Sequence, residues 1–92
     1  MDVYVEIARK IIEQQELIIG PVAIEQAKRV QNLSVDWPKH VITISGNESA
    51  AIDDLVHQYE KLFGQISVEV CRDATQSLVA KLPADKQPKT LR

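Results

Sequence analysis

The side chains that could do chemistry are few in this sequence, and the densest group lies between Asp53 and Glu60. His57 follows Asp53 by four residues and Asp54 by three, and Glu60 follows His57 by three. In a helix these spacings share one face, where an imidazole and carboxylates can bind a metal ion or exchange a proton. The sequence has no second cluster to complete such a site and no HExxH motif. We therefore interpret the group as exposed helical ion pairs.

The other reactive side chains stand apart from one another. His40 follows Lys39 in a predicted turn, and we expect it to be exposed. Cys71 is the only cysteine, which excludes an intramolecular disulfide. It lies on the apolar stripe of a predicted helix, where a free thiol behaves as a small hydrophobic group. The sequence contains no P-loop, no Rossmann fingerprint and no metal-spaced cysteine pair. We expect no enzyme activity, no metal and no cofactor.

Composition predicts one small domain that binds neither nucleic acid nor membrane. The chain has 92 residues, of which 45% are hydrophobic and mostly aliphatic, and a net charge of −2. A nucleic-acid-binding surface is normally basic, because it has to neutralise phosphates. No apolar run approaches the length that spans a bilayer, and the first residues lack the pattern of a signal peptide. We expect a cytoplasmic protein.

The first half of the chain predicts two helices and a β-hairpin. Asp2 is a suitable N-cap for a long helix, which Gly20-Pro21 ends; Pro21 then opens a second helix. Residues 33–37 and 41–44 alternate between apolar and polar on either side of the sequence WPKH. This alternation, with a proline-containing turn between the two runs, is typical of a hairpin.

The second half returns to helical periodicity. Asn47 is a suitable N-cap for a third helix, and Gly64 separates that helix from a fourth. The fold class is therefore α+β with the layout helix-helix-β-hairpin-helix-helix, in one domain over residues 1–82. Residues 83–92 are rich in Pro and Lys and predict a flexible C-terminal tail. The apolar faces of the helices are expected to be buried, either against each other or against a second copy of the chain.

A sequence segment of the first helical pair is repeated in the second pair. A shift of 44 residues superposes residues 11–28 on residues 55–72 without a gap. Four of the 18 pairs are identical and nine more are conservative; the identical pairs are Gln14/Gln58, Glu16/Glu60, Gly20/Gly64 and Glu25/Glu69. Amphipathic helices share part of this pattern by necessity. The common glycine, and the glutamate five residues after it, indicate an internal duplication. Locally we expect both glycines to be helix C-caps, which does not conflict with a duplication.

The hairpin predicts self-association. Two isolated strands are marginally stable in water and leave open edges. We expect a twofold dimer in which two hairpins form a shared four-stranded sheet. The candidate interface residues are Trp37, Val35, Ile42 and Ile44, and the candidate structural hinges are Gly20, Pro21 and Gly64.

The function that these expectations favour is a non-catalytic protein–protein interaction or regulatory module. Its partner is a second copy of the chain or another protein. Trp37, the only tryptophan, supplies either a core anchor or a contact residue. One alternative is a small-molecule sensor or carrier with an aliphatic pocket between the helix pairs. Another is an accessory subunit of an enzyme.

Overall fold

The computed structural model describes residues 2–92; Met1, the first residue of the predicted domain, lies outside them. Four α-helices and one antiparallel hairpin follow each other in the predicted order. The elements are α1 (Val3–Ile19), α2 (Val22–Ala27), β1 (Leu33–Asp36), β2 (Val41–Ile44), α3 (Glu48–Phe63) and α4 (Gln65–Val79). The α+β class and the helix-helix-β-hairpin-helix-helix layout are therefore confirmed.

Side-chain caps begin the long helices α1 and α3. The Asp2 Oδ1 atom accepts a hydrogen bond from the Tyr4 amide at 2.9 Å. The Asn47 Oδ1 atom accepts one from the Ala50 amide at 3.0 Å. Each bond satisfies an amide that has no partner within its own helix. Both predicted N-caps are confirmed.

Helix α1 is the element against which the other helices and the hairpin pack. It contacts α2, α3, α4 and β2. Near its C-terminal end Gln15 lies 3.5 Å from the Ser67 carbonyl in the first turn of α4. Near its N-terminal end the Tyr4 hydroxyl donates at 2.6 Å to the carbonyl of Lys86, in the segment that follows α4. The core between the helices is mainly aliphatic, with Tyr59 as its largest fully buried side chain.

The hairpin covers one side of α1 with its inner face. Its register pairs Leu33 with Ile44 and Val35 with Ile42. These four side chains are buried or half-buried, whereas the alternate positions are exposed. The period of two that predicts the strands also decides which face is buried.

The C-terminal segment differs from the predicted flexible tail. Two short 3₁₀ turns, Ala84–Lys86 and Lys89–Leu91, return along α3 and α4. The Leu91 side chain is buried in the main core. The Asp53 carboxylate accepts hydrogen bonds from the Thr90 amide at 3.0 Å and from the Thr90 hydroxyl at 2.7 Å. The packed domain thus continues past residue 82, because a distant carboxylate supplies the partners that the segment itself lacks.

The chain turns at both predicted glycines, and it does so in the same way. Gly20 has φ 73° and ψ −153°, and Gly64 has φ 81° and ψ −168°. This region of backbone space is open almost only to glycine. Each glycine amide donates at 2.8 Å to the carbonyl four residues earlier, on Glu16 or Glu60. Each glycine carbonyl then accepts a bond from the amide three residues later. We call these two turns the bends.

Reciprocal hydrogen bonds join the two helical pairs. The Tyr59 hydroxyl donates to the Ala23 carbonyl at 2.6 Å, and Gln15 Nε2 faces the Ser67 carbonyl at 3.5 Å. Gln15 and Tyr59 are 44 residues apart, as are Ala23 and Ser67. Gln15 and Tyr59 are thus matched positions of the repeat, and each contacts the matched residue of the other helical pair, Ser67 or Ala23.

Candidate interaction site

The cluster around His57 does not converge into a site. The Asp53 carboxylate points to the C-terminal segment and accepts hydrogen bonds from Thr90. His57 is exposed and lines an open cleft with Asp54. Within residues 2–92 no group of three or more His, Cys, Asp and Glu side chains is placed to hold a metal ion. The role of Asp53 is to fasten the end of the chain.

Trp37 and His40 form a small polar contact between the hairpin and α1. The Trp37 indole nitrogen donates to Glu16 Oε1 at 3.1 Å, and His40 Nδ1 lies 3.2 Å from Glu13 Oε2. The two rings stack with their centroids 4.1 Å apart. His40 has φ 53°, a left-handed conformation that histidine tolerates better than most residues. His40 is exposed as predicted, and its partner is 27 residues away in the chain.

Cys71 is a core residue, as the sequence predicts. Its side chain is fully buried on the inner face of α4. Burial raises the pKa of the thiol to about 11, although a hydrogen bond from Gln15 opposes the shift. A thiol with so high a pKa stays protonated near neutral pH and is a poor nucleophile.

The four predicted interface side chains pack within the chain. Trp37 is 7% exposed and Ile42 is 5% exposed. Val35 and Ile44 are half-buried and pack against the same core. Helix α1 already covers the face that carries them, since the hairpin needs that cover to be stable. These side chains are therefore not a free surface for a second subunit; the pairing of strand edges stays a prediction.

Exposed large apolar side chains concentrate at the two bends instead. Seven such side chains are exposed in the described part of the chain. All but Val41 lie within three residues of Gly20 or Gly64. We call the six the bend patch: Leu17, Ile18, Val22, Leu62, Phe63 and Ile66. Leu17 is 80% exposed and Ile66 is 67% exposed.

Within the single chain these six side chains stay uncovered, although the helical periodicity assigns them to apolar faces. In α4 the inner face is set by Ser67, Val68, Cys71, Thr75 and Val79. The buried face thus begins one residue later than the predicted apolar stripe, at Ser67 instead of Ile66. Small polar residues can face the core here because the Thr75 hydroxyl donates to the Cys71 carbonyl at 2.7 Å. In the other helices the exposed residues lie at the ends, where the chain turns away from the core.

An apolar groove runs between the two bends. Its volume is about 390 Å³ and almost all of its wall is carbon. Ile18 and Ile19 line it from the end of α1, and Phe63, Ile66 and Val70 line it from the other helical pair. Because one groove contains side chains from both bends, the bends lie at the same end of the molecule. Ile18 of one bend and Phe63 and Ile66 of the other therefore belong to one apolar surface. Leu17 lies beside it and lines a neighbouring cleft with Lys10 and His40.

A carboxyl pair at the opposite end of α1 has a different character. A side-chain hydrogen bond links Asp2 and Glu48, and with partial burial it raises the pKa of Glu48 to about 7. The same hydrogen bond lowers the pKa of Asp2. The pair shares a proton below that pH and carries two negative charges above it. Asp2 is the N-cap of α1, and Glu48 is the first residue of α3, which Asn47 caps.

Comparison of the chain with protein-family models, with curated proteins and with solved structures finds no match. Function therefore has to be inferred from the surface of the molecule alone. Among residues 2–92 no helix is long and apolar enough to cross a membrane. The bend patch is the surface feature that the fold itself leaves unexplained.

The sequence contains a signal for the bend patch. Ile18 and Leu62 are a matched pair in the 44-residue repeat, as are Val22 and Ile66. Ile18 and Leu62 lie two residues before the bend glycines, and Val22 and Ile66 lie two residues after them. Periodicity alone assigns all four to the core. The repeat indicates that these four residues share one environment beside a bend. At a bend the chain turns, so its flanking side chains do not continue the buried face of the helix.

Proposed function

We propose that this protein is a non-catalytic protein–protein interaction module and that the bend patch is its binding surface. The observation that carries the proposal is the concentration of six exposed large apolar side chains at one end of the molecule. Soluble monomers rarely expose a contiguous apolar patch of more than a few hundred Å². Larger ones mark surfaces that a partner covers.

The chemistry beside the bend patch favours a protein over a lipid surface. Glu25 follows Val22 by three residues and Glu69 follows Ile66 by three, so both carboxylates are on the faces that carry the patch. Both are exposed. A surface that lies on a membrane needs a basic rim to attract anionic headgroups. Lys61, which directly precedes Leu62, is a basic residue at the same rim. Together with Glu25 and Glu69 it leaves the rim with a net negative charge, which disfavours that partner.

An internal duplication is part of the same proposal. The matched bends and the reciprocal bonds of Gln15 and Tyr59 support it. Two copies of one helix-bend-helix unit, related by a twofold axis, would bring their bends together at one end. In that arrangement each helix-bend-helix unit contributes one half of the bend patch. A cytoplasmic location also belongs to the proposal, because an unpaired buried thiol such as Cys71 is usual in reducing compartments.

A photo-crosslinking experiment in the native cell tests this function. A photoreactive phenylalanine analogue replaces Ile66 in one variant and Val41 in the other. Val41 is a matched control, because it is apolar and 52% exposed but lies on the hairpin, outside the bend patch. We expect a protein adduct at position 66, weakened when Leu17→Lys is added, and none at position 41. Equal labelling at both positions, or no protein adduct at position 66, would contradict the proposal.

A small-molecule carrier is the second candidate, and one observation favours it. The groove of about 390 Å³ has the size and the apolar wall of a ligand pocket. The exposure of Leu17 and Leu62 outside the groove is not explained by a ligand within it. If the adduct at position 66 is a lipid or another small molecule rather than a protein, the carrier function replaces the interaction module.

A further inference from the structure

We infer that the partner of the bend patch is a second copy of this chain, packed bend against bend around a twofold axis. This inference depends on the proposed function and names the partner of the same surface. It places the dimer interface at the helix bends rather than at the edges of the hairpin. Three features of the bend patch carry it.

The first feature is area. A stable interface takes about 800 Å² from each partner and needs at least roughly 1,000 Å² in total. If a fully exposed large apolar side chain offers about 150–200 Å², the six side chains of the bend patch together present roughly 600 Å². Two copies supply roughly twice that area before any polar rim is counted. The apolar part of the patch alone therefore reaches the size that a dimer requires.

The second feature is shape. A twofold interface is built from one surface that must fit a copy of itself. The bend patch carries both a projection and a recess. Leu17, 80% exposed, projects from the last turn of α1. The groove of about 390 Å³ between Ile19 and Phe63 is large enough to receive such a side chain. A surface with only projections or only a recess would need a different partner.

The third feature is polarity. None of the six side chains of the bend patch is polar, and the groove wall is almost wholly carbon. The charged residues beside the patch include Glu25, Glu69 and Lys61, which are all exposed and stay at the rim with a net negative charge. In a dimer no charge is then buried, so no specific counter-charge is needed from the partner. The acidic rims of the two copies repel each other weakly, and salt screens that repulsion.

Sedimentation equilibrium of the purified full chain, over micromolar to millimolar concentration, tests the inference. We expect a species of twice the 10.3 kDa chain mass. Ile66→Asp should raise the dissociation constant by at least about tenfold, because it removes a large apolar side chain from both halves of the interface. The new carboxylate lies in the first turn of α4, where negative charge is favourable, so the fold should persist.

Two further variants separate the bend dimer from a folding defect and from a hairpin dimer. Leu17→Lys, on the other bend, should weaken the dimer like Ile66→Asp and checks that the loss is not a folding defect of α4. Val41→Asp, on the exposed face of the hairpin, should leave the dissociation constant unchanged. Moderate salt should strengthen the wild-type dimer, whereas a basic foreign partner would be released by salt.

Two results would overturn the inference. One is a monomer at every concentration. The other is a dimer that Val41→Asp dissociates and Ile66→Asp does not, which would place the interface at the hairpin. In either case a cross-link from position 66 to a different protein would leave the proposed function standing. Failure of the proposed function itself would show as the absence of any protein adduct at that position.

Discussion

At the scale of single residues, polar atoms inside the core fix which helices meet. Tyr59 and Gln15 occupy equivalent places in the two helical pairs, and each reaches a backbone carbonyl of the other pair. The Tyr59 bond is short, at 2.6 Å, whereas the Gln15 contact is at the limit of a hydrogen bond, at 3.5 Å. Equivalent positions therefore contribute unequally to the stability of the fold.

Removal of the Tyr59 hydroxyl tests this inequality. Tyr59→Phe keeps the ring and deletes one buried hydrogen bond, so we expect the free energy of unfolding to fall by about 1–2 kcal/mol. Gln15→Met keeps a similar volume and deletes two long contacts, to the Ser67 carbonyl and to the Cys71 sulfur, both at 3.5 Å. Its cost should be smaller, about 0.5 kcal/mol or less. Urea unfolding followed by circular dichroism measures both. Equal costs would show that the two bonds are equivalent in strength.

The Asp2–Glu48 pair gives the protein a pH dependence of its own. The folded pKa of Glu48, about 7, lies above its ordinary value of 4.5. A raised carboxyl pKa means that the native state binds the proton more tightly than the unfolded state. Its stabilising effect is therefore complete below about pH 4.5 and is lost as the pH rises to about 7. Above that pH the two carboxylates repel each other.

Glu48→Gln should remove this dependence. We expect the variant to be more stable than the wild type at pH 8, by less than about 1 kcal/mol because the pair is largely exposed to solvent. At pH 5 the difference should shrink or reverse. Thermal unfolding at the two pH values measures the change, and Asp54→Asn, a substitution of an exposed carboxylate on the same helix, is the control. An unchanged pH profile in Glu48→Gln would show that the pair is not coupled.

At the scale of elements, the two bends and the C-terminal segment determine the shape of the molecule. Gly20 and Gly64 could be identified from the sequence because a glycine that interrupts a helical pattern has few other uses. The docking of the C-terminal segment could not, because it depends on Asp53, 37 residues away from Thr90. The composition of this segment shows its prolines and lysines, but it gives no information about a distant hydrogen-bond acceptor such as Asp53. Long-range partners of this kind explain why the sequence does not predict the contacts of Thr90 and Leu91.

Substitution of either bend glycine should destabilise the fold to a similar extent. At both positions a Cβ atom would meet no atom within 4 Å, so the cost comes from the backbone conformation alone. We expect about 1–3 kcal/mol for Gly20→Ala and for Gly64→Ala. D-alanine, introduced by chemical synthesis, adopts positive φ without strain and is the matched control. If D-alanine is as harmful as L-alanine, the cost has another origin and the bends are not equivalent in the way that their angles indicate.

The anchoring of the C-terminal segment can be tested with two neighbouring aspartates. Asp53→Ala removes the acceptor of the Thr90 amide and hydroxyl, whereas Asp54→Ala changes an exposed side chain on the same helix. We expect trypsin to cleave after Lys86 and Lys89 about tenfold faster in the first variant. The variant loses three bonds of about 1 kcal/mol or less each, because the Lys89 amide also donates to Asp53, at 3.3 Å. Equal cleavage in the two variants would show that Leu91 alone docks the segment.

At the scale of the whole molecule, the sequence predicts the elements well and their surfaces poorly. The order of helices, the hairpin and both N-caps follow from local patterns such as the Asp2 and Asn47 caps. The direction in which a helix faces depends on its neighbours, and for α4 the apolar stripe from Ile66 is not the buried one. Small residues such as Ser67 decide that face, because they let α1 approach closely. Hydropathy assigns such residues to the solvent side.

The dependence of every element on α1 predicts that the molecule unfolds as one unit. A two-stranded hairpin is marginal by itself, and here Trp37 fastens it to Glu16 of α1 at 3.1 Å. Trp37 is also the only tryptophan, so its fluorescence reports the docking of the hairpin, while far-UV circular dichroism reports the helices. We expect the two urea transitions to coincide in the wild type. In Glu16→Ala they should shift together by about 1 kcal/mol or less. A fluorescence transition that precedes the helical one would show instead that the hairpin opens independently, and that the helices form a core without it.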